Sequence, residues 1–244
     1  MCIRDRLIVG TGKYPSEDIA EKAIELSGAE LVTLALKRFD KEESSENILK
    51  PIGNRKLLPN TAGVLTANEA IRSAYISKEL FQTNLLKLEI ISSAENLDPN
   101  MEETLKAAKS LSKEDFEIYV YCDRDIDSCK KLEDMGCVAI MPLGSSIGSG
   151  RGFDNLVDLE KLRSQISQVL IVDAGLGVPS EASTVMEMGY DAVLVNSAIA
   201  QAKDPTRMAE SFKKGVQAGR LAYLAGRIPV SDKAKASSPT SFLK

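Results

Sequence analysis

Residues 169–196, VLIVDAGLGVPSEASTVMEMGYDAVLVN, contain one full period of a pattern that recurs along the chain. Val169–Asp173 and Ala192–Asn196 are short apolar runs with several valines, which is typical of strands buried in a parallel sheet. Between them, Ser180–Met188 has the apolar spacing of a helix that packs against such a sheet. The three segments predict a βαβ unit with parallel strands.

The same alternation of strand and helix patterns extends along the chain on both sides of this unit. The predicted strands are Leu7–Gly10, Leu31–Leu36, Lys56–Asn60, Leu85–Ile91, Glu117–Cys122, Val138–Leu143, Val169–Asp173 and Ala192–Asn196. The predicted helices are Ser16–Ser27, Thr66–Leu80, Asn100–Leu111, Ile126–Met135, Leu156–Ile166, Ser180–Met188 and Pro205–Ala218. A charged connection, Asp40–Lys56, follows the second strand.

Eight strands with helical segments between them predict an α/β fold, a single (β/α)8 TIM barrel. The alternative is an open doubly wound sheet, which has fewer strands and a G-x-G-x-x-G turn after the first one. Residues 10–13, Gly-Thr-Gly-Lys, lack the third glycine of that turn, so the barrel is favoured. We expect residues 1–230 to form the barrel as the catalytic domain. Residues 231–244 mix Ser, Lys, Ala and Pro without periodicity and are expected to be a disordered tail.

The composition of the 244 residues excludes several classes of function. The sequence has no histidine, which removes serine–histidine and cysteine–histidine catalysis and histidine metal ligands. The formal net charge of -4 disfavours nucleic acid and anionic membranes as partners. Scattered cysteines, no membrane-length apolar run and no signal-peptide pattern predict a cytoplasmic protein. Met1–Arg6 is charged and unpatterned, as expected of a non-native start, so Cys2 is assigned no role.

Charged side chains interrupt two predicted strands on the face that a barrel turns inward. Along Leu85–Ile91 the apolar residues at alternate positions pack against the helices, which directs Lys87 and Glu89 into the lumen. Asp173 is the last residue of its strand and faces opposite to Leu170. Active sites of TIM barrels lie at the C-terminal ends of the strands. The lysine and the two carboxylates are therefore predicted to meet at that end.

Two interpretations of this cluster are open. A buried ion pair can serve only to fix the barrel, because a buried lysine is costly unless carboxylates pair with it. Alternatively, desolvation lowers the pKa of Lys87 towards neutrality, and the amine attacks a carbonyl group to form an imine. Glu89 and Asp173 would then perform the acid–base steps that histidine performs in other enzymes.

Segments of glycine and other small residues follow the last three predicted strands, at Gly148–Gly150, Ala174–Gly177 and Asn196–Ala198. Glycine lets backbone N–H groups approach an anion, and the loops after the seventh and eighth strands of a TIM barrel commonly hold a phosphate. The alternative, that these glycines only form tight turns, is weakened by their occurrence on neighbouring loops. Lys13 is assigned no role, because the G-x-x-x-x-G-K spacing of a phosphate loop is absent around it.

Over residues 7–229 the chain resembles bacterial thiazole synthase, the enzyme family that forms the thiazole phosphate of thiamine. The resemblance rests on ordered matches at Gly10–Tyr14, Leu58–Gly63, Lys87–Glu89, Met141–Gly144, Ile147–Gly150, Val172–Gly175 and Ala218–Arg227. It implies a sulfur-transferring transferase. Its substrates would be 1-deoxy-D-xylulose 5-phosphate, dehydroglycine (2-iminoacetate) and sulfur from a thiocarboxylated sulfur-carrier protein.

The resemblance also implies roles for individual residues. Lys87 matches the lysine that forms an imine with the ketose phosphate, and Glu89 and Asp173 match residues that move protons. The residues implied to contact the substrate and its phosphate are Gly148, Ala174, Gly175, Asn196 and Ser197. Neither a metal nor another cofactor is implied.

The partners implied by the resemblance are the sulfur-carrier protein, the enzyme that produces dehydroglycine, and further copies of the chain in a homotetramer. Two other functions stay open. One is a lysine-imine enzyme of the aldolase type that acts on a different sugar phosphate. The other is a non-catalytic scaffold that holds the tail of a carrier protein or a partner synthase.

Overall fold

A computed structural model describes the chain at residues 6–38 and 49–238. Its strands form a closed parallel barrel, in which each strand pairs with the next one along the chain and the last pairs with the first. The strands are β1 Leu7–Gly10, β2 Leu31–Ala35, β3 Lys56–Asn60, β4 Leu85–Leu88, β5 Glu117–Cys122, β6 Ala139–Pro142, β7 Val169–Asp173 and β8 Ala192–Val195. The predicted TIM barrel is confirmed.

Helices pack around the outside of the barrel. They are α1 Glu17–Ser27, α2 Ala67–Phe81, α3 Met101–Leu111, α4 Ile126–Asp134, α5 Leu156–Gln165, α6 Pro179–Glu187, α7 Ser197–Ala200 and α8 Pro205–Ala225, with short 3-10 turns at Leu36–Arg38 and Lys50–Ile52. A capping box begins α2, since the Thr66 hydroxyl accepts from the Glu69 N–H and the Glu69 carboxylate accepts from the Thr66 N–H. In the described part of the chain, no helix is long and apolar enough to cross a membrane.

Each strand divides its side chains between two apolar layers. Leu170 and Val172 of β7 belong to the layer between the strands and the helices. Ile171, between them, belongs to the layer that fills the lumen. Because side chains alternate along a strand, the next inward residue of β7 is Asp173, which comes to the C-terminal end of the lumen.

The fourth strand is shorter than predicted: β4 ends at Leu88 rather than at Ile91. The Thr61 side chain takes the place of the strand pairing there. Its hydroxyl donates to the Glu89 carbonyl at 2.8 Å and accepts from the Glu89 N–H at 2.9 Å. The Thr61 side chain therefore fixes the backbone of Glu89, one residue beyond the end of the strand.

The last helix is longer than predicted: α8 continues to Ala225, so the predicted end at Ala218 was wrong. Gly219 lowers the helix propensity locally but allows α8 to approach α6 closely. A Cβ atom on Gly219 would lie 2.8 Å from Ser183 Cα and would overlap the Ser183 carbonyl oxygen. Gly215, one turn earlier, is similarly close to α6. Close packing against α6 therefore accounts for a glycine inside this helix rather than at its end.

Three sequence predictions extend beyond the described residues. Residues 1–5 of the predicted non-native start and residues 40–48 of the predicted charged connection lie outside the described part of the chain. Residues 231–238 of the tail are exposed and form neither helix nor strand, and residues 239–244 lie outside the described part. The disorder of the tail and the domain boundary at residue 230 stay predictions.

We expect Gly219→Ala to lower the free energy of unfolding by about 1–3 kcal/mol, because overpacking a close contact has a cost of this size. This net loss persists although alanine gains about 1 kcal/mol over glycine in a helix interior. Urea unfolding followed by circular dichroism measures the change. Gln217→Ala, on the exposed side of the same helix, is the control. Equal stability of the two variants would contradict the close contact between α6 and α8.

Candidate active site

Lys87 lies between two carboxylates at the C-terminal end of the barrel lumen. Its Nζ atom is 2.7 Å from Glu89 Oε2 and 2.7 Å from Asp173 Oδ2. None of the three residues is more than 6% exposed. The predicted meeting of these side chains is confirmed, and with all three ionised the cluster carries a net negative charge.

Asn60, at the end of β3, holds the Glu89 carboxylate in place. Its Nδ2 group donates to Glu89 Oε2 at 2.9 Å, and its Oδ1 atom accepts from the Ala62 N–H at 2.9 Å. The backbone contact fixes which end of the amide faces the carboxylate. Asn60 had no predicted role, although it belongs to the matched segment Leu58–Gly63.

The charge state of Lys87 differs from the sequence expectation. Burial lowers its pKa, but the Asp173 and Glu89 carboxylates together raise it by more, so the pKa lies above the ordinary value for lysine. The expectation that desolvation brings this pKa towards neutrality was therefore wrong. In the free protein Lys87 is an ammonium group.

Asp173 is a suitable acceptor for the proton of that ammonium group. Burial raises the pKa of Asp173, the Lys87 charge opposes this by less, and the Glu89 charge raises it further. Asp173 Oδ2 forms an ion pair with the ammonium nitrogen at 2.7 Å and has no hydrogen-bond partner among the described residues, so it is free to accept that proton after a small reorientation. The pair therefore has the arrangement for proton transfer as well as for structural pairing.

The ring of Tyr121, on β5, lies beside the same ammonium group, with its centroid 5.5 Å from Lys87 Nζ. The side chain is fully buried, and among the described residues its hydroxyl has no hydrogen-bond partner. Burial, with smaller contributions from nearby carboxylates, raises the pKa of this hydroxyl, so it is neutral. The ring therefore adds a cation–π contact to the two ion pairs.

A cavity of about 480 Å³ lies over the cluster, bounded by the loops that follow the strands. A volume of this size suits a small ligand. All the residues predicted at the site line it, namely Lys87, Glu89, Asp173, Gly148, Ala174, Gly175, Asn196 and Ser197. It is also lined by residues that the sequence analysis did not place there, including Gly12, Thr33, Arg38 and Asn60.

The loop after β7 contains two successive residues with left-handed backbone, Ala174 with φ 75° and Gly175 with φ 84°. A Cβ atom on Gly175 would overlap Ser145, and one on Gly177 would lie 2.5 Å from the Gly150 carbonyl oxygen. These glycines allow the loops after β6 and β7 to pack closely. Close packing of the two loops is therefore part of the role of these glycines. This agrees with the alternative prediction that they form tight turns.

Lys13, which the sequence analysis set aside, lies at the same loops. Its Nζ atom donates to the Ser197 hydroxyl at 3.4 Å and is 3.6 Å from the place of a Cβ atom on Gly148. Lys13 has a left-handed backbone with φ 68°, which is costly for a residue other than glycine. Asn196, oriented with its amide nitrogen towards β1, donates to the Gly12 carbonyl at 2.9 Å. The Gly-Thr-Gly-Lys turn therefore joins the predicted phosphate loops.

Cys122, Cys129 and Cys137 are buried thiols, as expected for small core residues. The sulfur atoms of Cys122 and Cys129 lie 3.8 Å apart. Among residues 6–38 and 49–238, no group of three or more histidine, cysteine, aspartate or glutamate side chains is placed to hold a metal ion.

Comparison with known proteins identifies relatives of the whole chain. The family model described as "Thiazole biosynthesis protein ThiG" matches residues 2–239. The thiazole synthase of Paramagnetospirillum magneticum is 49% identical over 241 residues, which are 98% of this chain and 74% of that protein. The thiazole synthase of Aliivibrio salmonicida is 49% identical over 241 residues, which are 98% of this chain and 94% of that protein.

Solved structures also resemble this chain. One is a chain of the Amycolatopsis orientalis BexX/CysO complex, with a TM-score of 0.86 and 26% identity over 95% of this chain and 96% of that one. Another is 3-hexulose-6-phosphate synthase, with a TM-score of 0.59 and 16% identity over 86% of this chain and 99% of that one. The second likeness concerns the fold alone.

We expect Asp173→Asn to lower the pKa of Lys87, because it removes a carboxylate that raises this pKa while burial still lowers it. The pH profile of Lys87 modification by a small amine-reactive reagent, resolved by peptide mass spectrometry, then shifts to lower pH. Glu102→Gln, which removes an exposed partner of Lys106, is the control and leaves the profile in place. An unshifted profile for Asp173→Asn would contradict the electrostatic coupling.

Proposed function

The chain belongs to the ThiG family of thiazole synthases of thiamine biosynthesis, and from that premise we propose a specific reaction for it. It condenses 1-deoxy-D-xylulose 5-phosphate, dehydroglycine and carrier-bound sulfur into the thiazole phosphate, as a sulfur-transferring transferase. The observation that carries the proposal is the position of Lys87 between two carboxylates, at a cavity lined by glycine-rich loops. This arrangement suits a substrate that has both a carbonyl group and a phosphate.

The first step is imine formation on Lys87. The ammonium proton passes to Asp173, and the neutral amine attacks the carbonyl carbon of the ketose phosphate. The carbinolamine then loses its hydroxyl as water, using the proton that Asp173 returns. Ammonium and ketone thus give a protonated imine and water, and Asp173 ends in its initial charge state.

Glu89 acts next, on the carbon beside the imine. A protonated imine withdraws electrons from that carbon, so a carboxylate nearby can remove a proton from it and leave an enamine. The hydrogen bond from Asn60 Nδ2 at 2.9 Å keeps Glu89 Oε2 in a fixed position for this step. Glu89 and Asp173 together move the protons during the tautomerisation that precedes sulfur addition.

The phosphate of the ketose binds at the opposite part of the cavity. Backbone N–H groups and small polar side chains contact it there, at Gly148, Ala174, Gly175, Asn196 and Ser197. Lys13 contributes a positive charge at the same loops, with its Nζ atom 3.4 Å from Ser197 Oγ. Because the cluster around Lys87 is negative in sum, the phosphate is favoured at this end of the cavity.

The partners belong to the same proposal. The similar solved structure is a complex of BexX with a second protein, CysO, which supports a protein partner for this chain. We infer a sulfur-carrier protein whose C-terminal thiocarboxylate delivers the sulfur. An enzyme that produces dehydroglycine, and three further copies of the chain in a homotetramer, complete the assembly, and the subunit uses no metal or other cofactor.

Borohydride reduction in the presence of 1-deoxy-D-xylulose 5-phosphate tests the imine. We expect an adduct on Lys87 by intact-mass and peptide mass spectrometry, because borohydride converts an imine into a stable amine. Lys87→Ala forms no adduct. Lys87→Arg also forms none, while its guanidinium keeps a cation between the carboxylates and so preserves the fold. Lys109→Ala, an exposed lysine on α3, retains the adduct.

Two other results would contradict the proposal. A folded, unsubstituted protein that forms no adduct has no imine chemistry, and the scaffold hypothesis then takes precedence. An adduct on Lys87 without thiazole formation, when dehydroglycine and sulfide are both supplied, would favour an enzyme of the aldolase type.

Lys13→Ala tests the phosphate end of the cavity. We expect the half-saturating concentration of the ketose phosphate in adduct formation to rise about tenfold, the effect of losing one charge-assisted hydrogen bond. The dephosphorylated ketose is trapped equally well by both proteins, since it has no anion for Lys13 to bind. Lys13→Arg keeps the charge and most of the affinity. Equal losses for both ketoses would indicate a structural role for Lys13.

A further inference from the structure

Arg38 ends the turn after β2 and lines the cavity, and its guanidinium group has no counter-ion among the residues that the structure describes. Its Nη1 group donates to the Thr11 carbonyl at 2.8 Å and to the Thr11 hydroxyl at 3.2 Å, which are both neutral acceptors. No carboxylate of residues 6–38 and 49–238 lies within 4.0 Å of its guanidinium nitrogens. By contrast, the partly buried Arg163 pairs with Asp191 at 3.1 Å.

Thr33 supplies a second polar group without a partner, close to Arg38 in the fold. It faces the lumen from β2, because its neighbours Val32 and Leu34 pack outward, and it lines the same cavity. Thr33 is 7% exposed, and within the described part of the chain its hydroxyl has no hydrogen-bond partner. Its carbonyl accepts from the Thr11 N–H at 3.2 Å, so both residues are tied to Thr11. A buried hydroxyl without a partner is costly, and a ligand that accepts from it removes that cost.

These two groups lie on the β2 side of the Gly-Thr-Gly-Lys turn, which they contact through Thr11, whereas the loop after β8 lies on the other side of that turn. Lys13 contacts the loop after β8, whereas Arg38 and Thr33 belong to β2 and the turn that follows it. The cluster around Lys87 repels anions, so an anion in the cavity needs a cation of its own. A planar guanidinium group matches the two oxygens of a carboxylate better than a point charge does.

We propose that Arg38 and Thr33 bind a small carboxylate at a site separate from the phosphate site. The inference rests on the proposed function, in which the second substrate, dehydroglycine, is an α-imino carboxylate. The guanidinium group holds the carboxylate oxygens, and the Thr33 hydroxyl donates to one of them. The remaining atoms of the imino acid are then directed into the cavity, where the ketose is attached to Lys87.

The test compares two substrates in one protein. Glyoxylate and ammonia, which combine to iminoacetate and water, supply dehydroglycine, and sulfide supplies the sulfur. In Arg38→Ala we expect the KM for glyoxylate in thiazole formation to rise about tenfold or more, and in Thr33→Val about threefold. The half-saturating concentration of the ketose phosphate in borohydride trapping changes by less than about twofold in both variants. Lys13→Ala raises the half-saturating concentration of the ketose phosphate and leaves the KM for glyoxylate unchanged. Arg207→Ala, at a side chain that is 87% exposed, changes neither value.

Oxamate, a planar carboxylate of similar size, provides a measurement that does not depend on the reaction. We expect calorimetry to detect oxamate binding to the unsubstituted protein and a loss of about tenfold or more in affinity in Arg38→Ala. Equal oxamate affinity in the two proteins overturns the inference. A rise in the half-saturating ketose phosphate in Arg38→Ala, with the KM for glyoxylate unchanged, overturns it too, by placing Arg38 at the phosphate. If no imine forms in the unsubstituted protein, the proposed function fails, yet Arg38-dependent oxamate binding still supports the carboxylate site.

Discussion

The two ion pairs of Lys87 are the contacts on which the candidate site depends. Three charges removed from water cost several kcal/mol each unless they are paired and hydrogen-bonded. Glu89 lies two residues from Lys87 in the chain, but Asp173 reaches Lys87 Nζ at 2.7 Å only when β7 lies across the lumen from β4. Closure of the barrel therefore completes the charged cluster, because it brings the second carboxylate to the lysine.

The same ion pairs decide how the lysine can react. Their combined effect raises the pKa of Lys87 against the opposing effect of burial, so the free protein holds an unreactive ammonium group. Because the pKa of Asp173 is raised, this carboxylate can accept a proton from the ammonium group. In the proposed reaction, transfer of one proton from Lys87 to Asp173 produces the amine when a carbonyl compound occupies the cavity.

Features that depend on local pattern were predictable from the sequence, and features that depend on distant neighbours were not. Side-chain alternation along one strand was sufficient to direct Lys87 and Glu89 into the lumen. The sign of the pKa change at Lys87 was not, because it depends on how closely the two carboxylates approach Nζ, at 2.7 Å each, and not only on their presence in the lumen. Lys13 was set aside because the spacing of a phosphate loop is absent around it, and its contact with Ser197, 184 positions away, has no local signal in the sequence. The end of α8 was predicted too early because Gly219, which packs against another helix, cannot be distinguished in the sequence from a glycine that ends a helix.

The charges of the cavity form a consistent arrangement for the proposed reaction. Lys13 lies at the loops proposed for the phosphate, Arg38 lines the wall after β2, and the negative cluster lies at the base. Anionic groups are repelled from the base, and a neutral carbonyl carbon can approach it. A protonated imine carries the same positive charge as the ammonium group that it replaces. The ion pairs of Lys87 with Glu89 and Asp173 can therefore persist through the covalent stage, and no unpaired charge is left buried in the lumen.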